Sequence, residues 1–204
     1  MKRFAAFDFD GSITTKDTLF DFIIYTFGWG ALLRCLFLNT FNLALYALKM
    51  RSNEEAKEKM LGSLLKGIDR EQFEAMCAEY SRTRIPQILR STTMERIAGH
   101  REKGDTLIIV SASPENWIKP WATEAGFTLV LATKLEEKNG VLTGRFASRN
   151  CYGEEKVNRI ATYITNREEI QLTAYGDSKG DTAMLGYADE GWLLKEGLWT
   201  KYNS

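Results

Sequence analysis

Arg3-Phe4-Ala5-Ala6-Phe7-Asp8-Phe9-Asp10-Gly11 begins with a basic residue and four apolar ones and closes on two acids and a glycine. A short apolar run stopped by a turn residue reads as a buried strand followed by a tight turn. If the strand continues to Phe9, residues two apart share a face, and the carboxylates of Asp8 and Asp10 enter one site. Outward from this stretch the pattern repeats. Thr106 to Val110 is a second apolar run, ending at Ser111; Gln171 to Tyr175 is a third, ending at Gly176-Asp177; Gly191 to Leu194 is a fourth. Ser113-Pro114-Glu115 predicts a helix start with serine as the cap and proline in the first turn, and Gly126 its stop. Residues 153–164 carry helical periodicity, and 179–188 open another helix. Asn139-Gly140, between 129–138 and 141–146, predicts a hairpin. Strands alternating with helices predict an α/β fold, with a Rossmann-like parallel sheet, helices on both faces and a small added β-hairpin.

Residues 18–99 break the alternation and read as helices only. Ser52-Asn53-Glu54-Glu55 is a capping box, and Asp69-Arg70-Glu71-Gln72 a second start of the same kind. The expected organisation is a catalytic core of residues 1–17 and 100–204 with a helical cap, 18–99, inserted after the first strand. Of the 204 residues 44% are hydrophobic, ordinary for one globular core. Lys plus Arg and Asp plus Glu both number 27, and a chain without basic excess is not expected to bind nucleic acid. Cys35, Cys77 and Cys151 lie far apart and form no metal-type pair, which predicts reduced thiols in a cytoplasmic protein. The basic start Met1-Lys2-Arg3 meets Asp8 and Asp10 before any long apolar run, against an export signal.

Ligands of open α/β sheets sit at the carboxyl ends of the strands. Asp8 and Asp10 follow one such end, and Asp177 and Asp181, in Gly176-Asp177-Ser178-Lys179-Gly180-Asp181, follow another. Four carboxylates at one sheet edge repel, and a divalent cation relieves the repulsion. Magnesium suits an oxygen site with few protein ligands. Taken singly each piece has a plainer reading: a polar turn, a cap serine at Ser111, a solvated lysine at Lys156.

Taken in order, Asp8-Phe9-Asp10-Gly11, Ser111 after Leu107-Ile108-Ile109-Val110, Lys156, and Gly176 to Asp181 resemble the four motifs of the haloacid dehalogenase superfamily of phosphohydrolases. The helical insertion between the first two motifs is similar to that of the phosphoserine-phosphatase-like branch. The resemblance implies Asp8 as nucleophile and Asp10 as general acid and base. It implies magnesium held by Asp8, Asp177 and the main-chain carbonyl of Asp10. Ser111, Ala112 and Lys156 would bind phosphoryl oxygens, and Asp181 would orient the metal shell or Lys156. Asp17 falls where that branch reads its substrate's amino group. Two departures stand out: Gly180 in place of an asparagine, and Ala112-Ser113 in place of a glycine pair.

Leu19 to Met50 is rich in large apolar residues. It predicts a cap helix pair with its own core, or else a surface for lipid or an apolar substrate, with peripheral membrane contact through the cap. The function expected is a phosphomonoester hydrolase, on a lipid-linked or small polyol phosphate before phosphoserine. An acceptor alcohol in place of water would make it a phosphotransferase. A phospho-acceptor signalling domain would place its acceptor Asp after a later strand, and a retired binding module would have lost one of the acids.

Overall fold

The computed structural model describes residues 1–203. β1 (Lys2–Phe7) runs through extended Asp8 into one π-helical turn, Phe9–Ile13. Helices α1 (Thr18–Leu38), α2 (Thr40–Ala47), α3 (Asn53–Leu65) and α4 (Arg70–Thr83) follow. A 3-10 turn at Ile85–Ile88 leads into α5 (Ser91–Glu102). Then come β2 (Thr106–Pro114), α6 (Glu115–Glu124) and β3 (Leu129–Thr133). A hairpin of β4 (Leu135–Lys138) and β5 (Val141–Phe146) precedes α7 (Glu154–Tyr163). The chain closes with β6 (Ile170–Gly176), a 3-10 turn at Lys179–Asp181, α8 (Thr182–Tyr187), β7 (Glu190–Lys195) and β8 (Leu198–Lys201).

The main sheet has the order β3-β2-β1-β6-β7-β8 and is parallel except for β8, which returns against β7. The chain moves outward from β1 to β2 and β3, then crosses to β6 and β7 on the other side. The carboxyl end of β1 is therefore a switch point, where an open α/β sheet has its crevice. The strands bury both faces. Ala5, Phe7, Leu107 and Ile109 join the apolar layer that includes α6 and the cap, whereas Ala6, Ile108, Val110, Leu172 and Ala174 pack with Ile160 and Met184 beneath α7 and α8. Phe7 stacks on Tyr175 across the β1–β6 pair, with ring centroids 4.5 Å apart.

The α/β class, the parallel sheet and the hairpin agree with the expectation from sequence, and five details differ. β1 stops at Phe7, because the chain turns helically from Phe9. Residues 129–138 form two strands: β3 stays in the sheet, and after Lys134 the chain leaves to build the hairpin. The helix after β2 starts at Glu115 with Pro114 in the cap position, because the hydroxyl of Ser113 is taken by Asp10 (2.5 Å). Residues 179–188 open as a 3-10 turn, with α8 beginning at Thr182. β8 carried no turn-bounded apolar run and was not expected.

Candidate active site

Three strand ends deliver the site. Asp8 follows β1, its N–H donating to the carbonyl of Tyr175 (2.9 Å). Ser111 lies in β2, fully buried, and its Oγ accepts from the N–H of Ser113 (3.1 Å). Asp177 follows β6. Lys156 comes from the first turn of α7, only 2% exposed, and donates to Asp8 Oδ1 (2.5 Å) and Asp181 Oδ1 (2.6 Å). Asp181 is fixed from the other side, its Oδ2 accepting from the N–H groups of Asp177 (3.1 Å) and Ser178 (2.9 Å) and from Ser178 Oγ (2.9 Å).

Asp10 reaches the site by the turn and not by strand alternation. Its Oδ1 accepts from the N–H (2.7 Å) and Oγ1 (2.5 Å) of Thr18, and its Oδ2 from Ser113 Oγ. Gly11 permits the turn. At φ +77° it adopts the left-handed conformation, and a Cβ there would sit 2.3 Å from Asp177 Oδ2. Ser12 donates to Asp177 Oδ1 (3.0 Å).

Oxygen atoms of Asp8, Asp177 and Asp181 lie within 4.8 Å of one another. One lysine faces these three acids, so negative charge is left over. Burial, and then the Asp181 charge, push the Asp8 carboxyl well above the usual carboxylate range, against the pull of Lys156. Burial and Asp181 also raise Asp177. For Asp181 burial acts upward, but Lys156 and the Ser178 hydrogen bonds outweigh it and hold the carboxyl low. For Lys156 burial acts downward, and the carboxylates of Asp8 and Asp181 overcome it, so the ammonium is held firmly protonated. A buried, all-oxygen acidic cluster with surplus charge fits a hard divalent cation, and magnesium meets those terms. Asp10's side chain stays outside that trio, bound to Thr18 and Ser113.

A cavity of about 390 Å³ opens over these groups. Asp8, Asp10, Ala112, Lys156, Asp177 and Asp181 line it from the core, whereas Ser111 lies behind the wall. Asp17 lines its outer part; one oxygen caps α1 by accepting from the N–H of Leu19 (2.9 Å). Burial and Asp10 raise the Asp17 carboxyl, partly offset by Lys57. The structure thus places every expected residue but Ser111 on the wall of this cavity, and Ser111 directly behind it. It adds Ser12, Thr18, Ser113, Asn53, Lys57 and Tyr152, which the reading of the sequence missed. Asn53 and Lys57 were within reach of it, since residues four apart share a face and their helix opens with a recognisable capping box. Tyr152 packs over Gly180: a Cβ there would meet its ring at 2.4 Å, so an asparagine would have to displace the tyrosine.

The family model for haloacid dehalogenase-like hydrolases matches residues 5–186. The chain belongs to that family. It is an enzyme, a phosphatase of the haloacid dehalogenase-like hydrolases. Protein CicA of Caulobacter vibrioides is 34% identical over 190 residues, 91% of this chain and 82% of the relative. A crystal structure of a protein of unknown function from Bordetella pertussis superposes with a TM-score of 0.79 at 25% identity, over 92% of this chain and 87% of that one. A phosphoserine phosphatase carrying an analogue of its phospho-aspartyl intermediate shares the fold, with a TM-score of 0.64 at 20% identity, over 94% and 85% of the two chains.

Proposed function

We propose that this enzyme hydrolyses phosphate monoesters through a phosphoryl group held transiently on Asp8. The observation that carries the reading is the cluster of Asp8, Asp177 and Asp181, with Lys156 donating to Asp8 and Asp181. In the first step an Asp8 oxygen bonds to phosphorus, the ester oxygen leaves, and Asp10 gives it a proton. In the second a water attacks phosphorus and gives a proton back to Asp10, and the bond to Asp8 breaks. The main chain at Ala112 and Lys156 bind the phosphoryl oxygens, Ser111 supports that loop from behind by accepting from the N–H of Ser113, and Asp181 keeps Lys156 in place. Asp8, Asp177 and the Asp10 carbonyl would hold Mg²⁺, which supplies charge neutralisation at the transferring group.

The core handles a phosphoryl group common to every candidate, so the leaving alcohol must be read by Asp17, Asn53, Lys57 and Tyr152 at the mouth. We favour a lipid-linked or small polyol phosphate. Asn53 donates to the hydroxyl of Tyr46 (3.3 Å), which joins the mouth to the apolar end of the cap. Phosphoserine is the second reading: Lys57 beside Asp17 offers the two opposite charges that an amino acid requires.

Asp8→Asn, with a poor nucleophile and one ligand charge fewer, should fold and lose hydrolysis of a generic aryl phosphate by about a thousandfold or more. Near-normal turnover in that variant would overturn the chemistry. For the substrate, kcat/KM is compared for phosphoserine, polyol phosphates and lipid phosphates in micelles. A phosphoserine preference of about a hundredfold, ~2.7 kcal/mol in the transition state, would overturn the favoured class.

A further inference from the structure

α1 is long and apolar enough to cross a membrane by length and composition, yet its first half is committed to the protein. Phe22 and Ile23 are buried, and Phe22 stacks on Trp117 of α6, centroids 4.6 Å apart. At Gly28 the backbone leaves the helical region (φ +81°, ψ 170°) and the helix takes a new direction. The ten residues from Trp29 to Leu38 rise about 15 Å, half of the ~30 Å hydrocarbon thickness, so they cannot span it. They present apolar side chains to solvent instead. Phe37 is 80% exposed and Phe41 73%, with Trp29, Leu33, Leu48 and Met50 also exposed around them. None of the eight residues of α2 is buried, though the helix is mostly apolar. Leu43 and Leu45 are half-buried, and the rest of the apolar surface of α2 is left open to a partner.

Charge selects among partners. From residue 22 to residue 53 the chain has no acid, and its charged residues are Arg34, Lys49 and Arg51. Of the acids that begin α3, Glu54 accepts from the N–H of Asn150 and Glu58 from that of Phe146, away from the patch, whereas Glu55 caps its own helix at Ser52 and lies near Arg51, at the patch's edge. Two copies meeting by a two-fold axis on this patch would set cations against the same cations with no acid between them. An anionic bilayer satisfies both features, taking the aromatic and aliphatic side chains into its interface and the cations among its headgroups.

We propose that the end of the cap formed by Trp29–Met50 is a docking surface for an anionic lipid bilayer, which it enters without spanning. The surface stands independently of the proposed chemistry.

The test is flotation of the full chain with vesicles of phosphatidylcholine mixed with phosphatidylglycerol, and with vesicles of phosphatidylcholine alone. The protein should float with the mixed vesicles and largely remain behind with the neutral ones. The fluorescence of Trp29, isolated as the difference from Trp29→Phe, should shift to the blue. Replacing Phe37 and Phe41 together by Ser should weaken vesicle binding by about a hundredfold. Arg34→Glu with Lys49→Glu should abolish the preference for anionic lipid. All these variants should hydrolyse a soluble aryl phosphate as the parent does, since none of the changed residues lines the cavity. Failure to bind mixed vesicles overturns the proposal. So does a dimer in sedimentation that the Phe37 and Phe41 replacements dissociate, because that assigns the patch to a second copy. Vesicle binding without phosphatase activity would leave the surface standing and remove the proposed function instead.

Discussion

At the scale of single residues, Asp10 reaches the cavity by a different route from the one its spacing suggests. Strand alternation was the reason to expect it beside Asp8, but the strand ends at Phe7 and Asp10 is delivered by the π-helical turn. Three donors then fix it, two from Thr18 and one from Ser113. Ser113 replaces one glycine of the pair usual in the phosphoserine-phosphatase-like branch, and its hydroxyl gives that departure a role. A hydrogen bond to a charged group contributes about 1.5–3 kcal/mol, and here it aims the carboxylate proposed as the proton donor. Ser113→Ala should therefore lower kcat about tenfold with KM little changed. Steady-state kinetics on an aryl phosphate check this; a change confined to KM would assign Ser113 to binding instead. The strand-end acids were legible because turn residues punctuate apolar runs. Ser111 and Lys156 became legible only through the order of all four motifs. Ser113 was not, since a serine before proline and glutamate has an ordinary reading as a helix cap, and its partner lies 103 residues away.

At the scale of elements, the hairpin is a strut between cap and core. The N–H of Gly67 donates to Leu142 (2.8 Å), that of Leu142 to Ile68 (2.9 Å) and that of Arg70 to Gly140 (2.9 Å). Behind these bonds α3 presses on β5 where both lack a side chain: a Cβ on Gly62 would stand 2.7 Å from the Gly144 carbonyl oxygen. α3 carries Asn53 and Lys57 over the cavity, so the strut also sets the height of the mouth. Gly62→Ala removes a helix-weakening glycine but must push the hairpin away, and overpacking of this kind costs about 1–3 kcal/mol. At about 2–4 °C per kcal/mol for a chain of this size, Tm should fall by several degrees. Calorimetry reads this directly, and an unchanged or higher Tm would show that the contact yields freely. Asn139-Gly140 made the hairpin visible in advance. Its purpose was hidden, because Gly62 and Gly144 look merely unfavourable until a helix and a strand are seen to meet there. For the cap, we propose that the insertion joins the core through Thr15 N–H to Ile88 (2.8 Å) and Arg90 N–H to Ile13 (2.8 Å), with α5 packed on β2 as part of the core. That places the second junction inside the residue-99 boundary expected from the sequence.

At the scale of the whole molecule, 27 acidic and 27 basic side chains balance in number but not in place. The carboxyl edge of the sheet gathers Asp8, Asp177 and Asp181 around one lysine, while the far end of the cap holds cations and no acids. Folding therefore concentrates negative charge that the unfolded chain disperses, and burial, followed by the Asp181 charge, raises the carboxyls of Asp8 and Asp177. A cation that binds the folded chain alone should recover that energy. At a hundredfold excess over Kd the gain is ~2.7 kcal/mol, or about 5–10 °C in Tm. Magnesium should thus raise Tm, and a chelator should lower it and stop hydrolysis together. Asp177→Asn separates this from nonspecific salt effects. It deletes a charge whose ionised form burial and Asp181 already disfavour, so the metal-free Tm should hold or rise. It also deletes a ligand, so the magnesium-dependent gain should shrink sharply and half-maximal activity should need far more metal. Calorimetry of parent and variant, each with magnesium and with chelator, gives all four values. A variant that keeps the full magnesium gain would show that Asp177 does not hold the ion. One that is destabilised even without metal would show that its carboxylate supports the fold and not the cation.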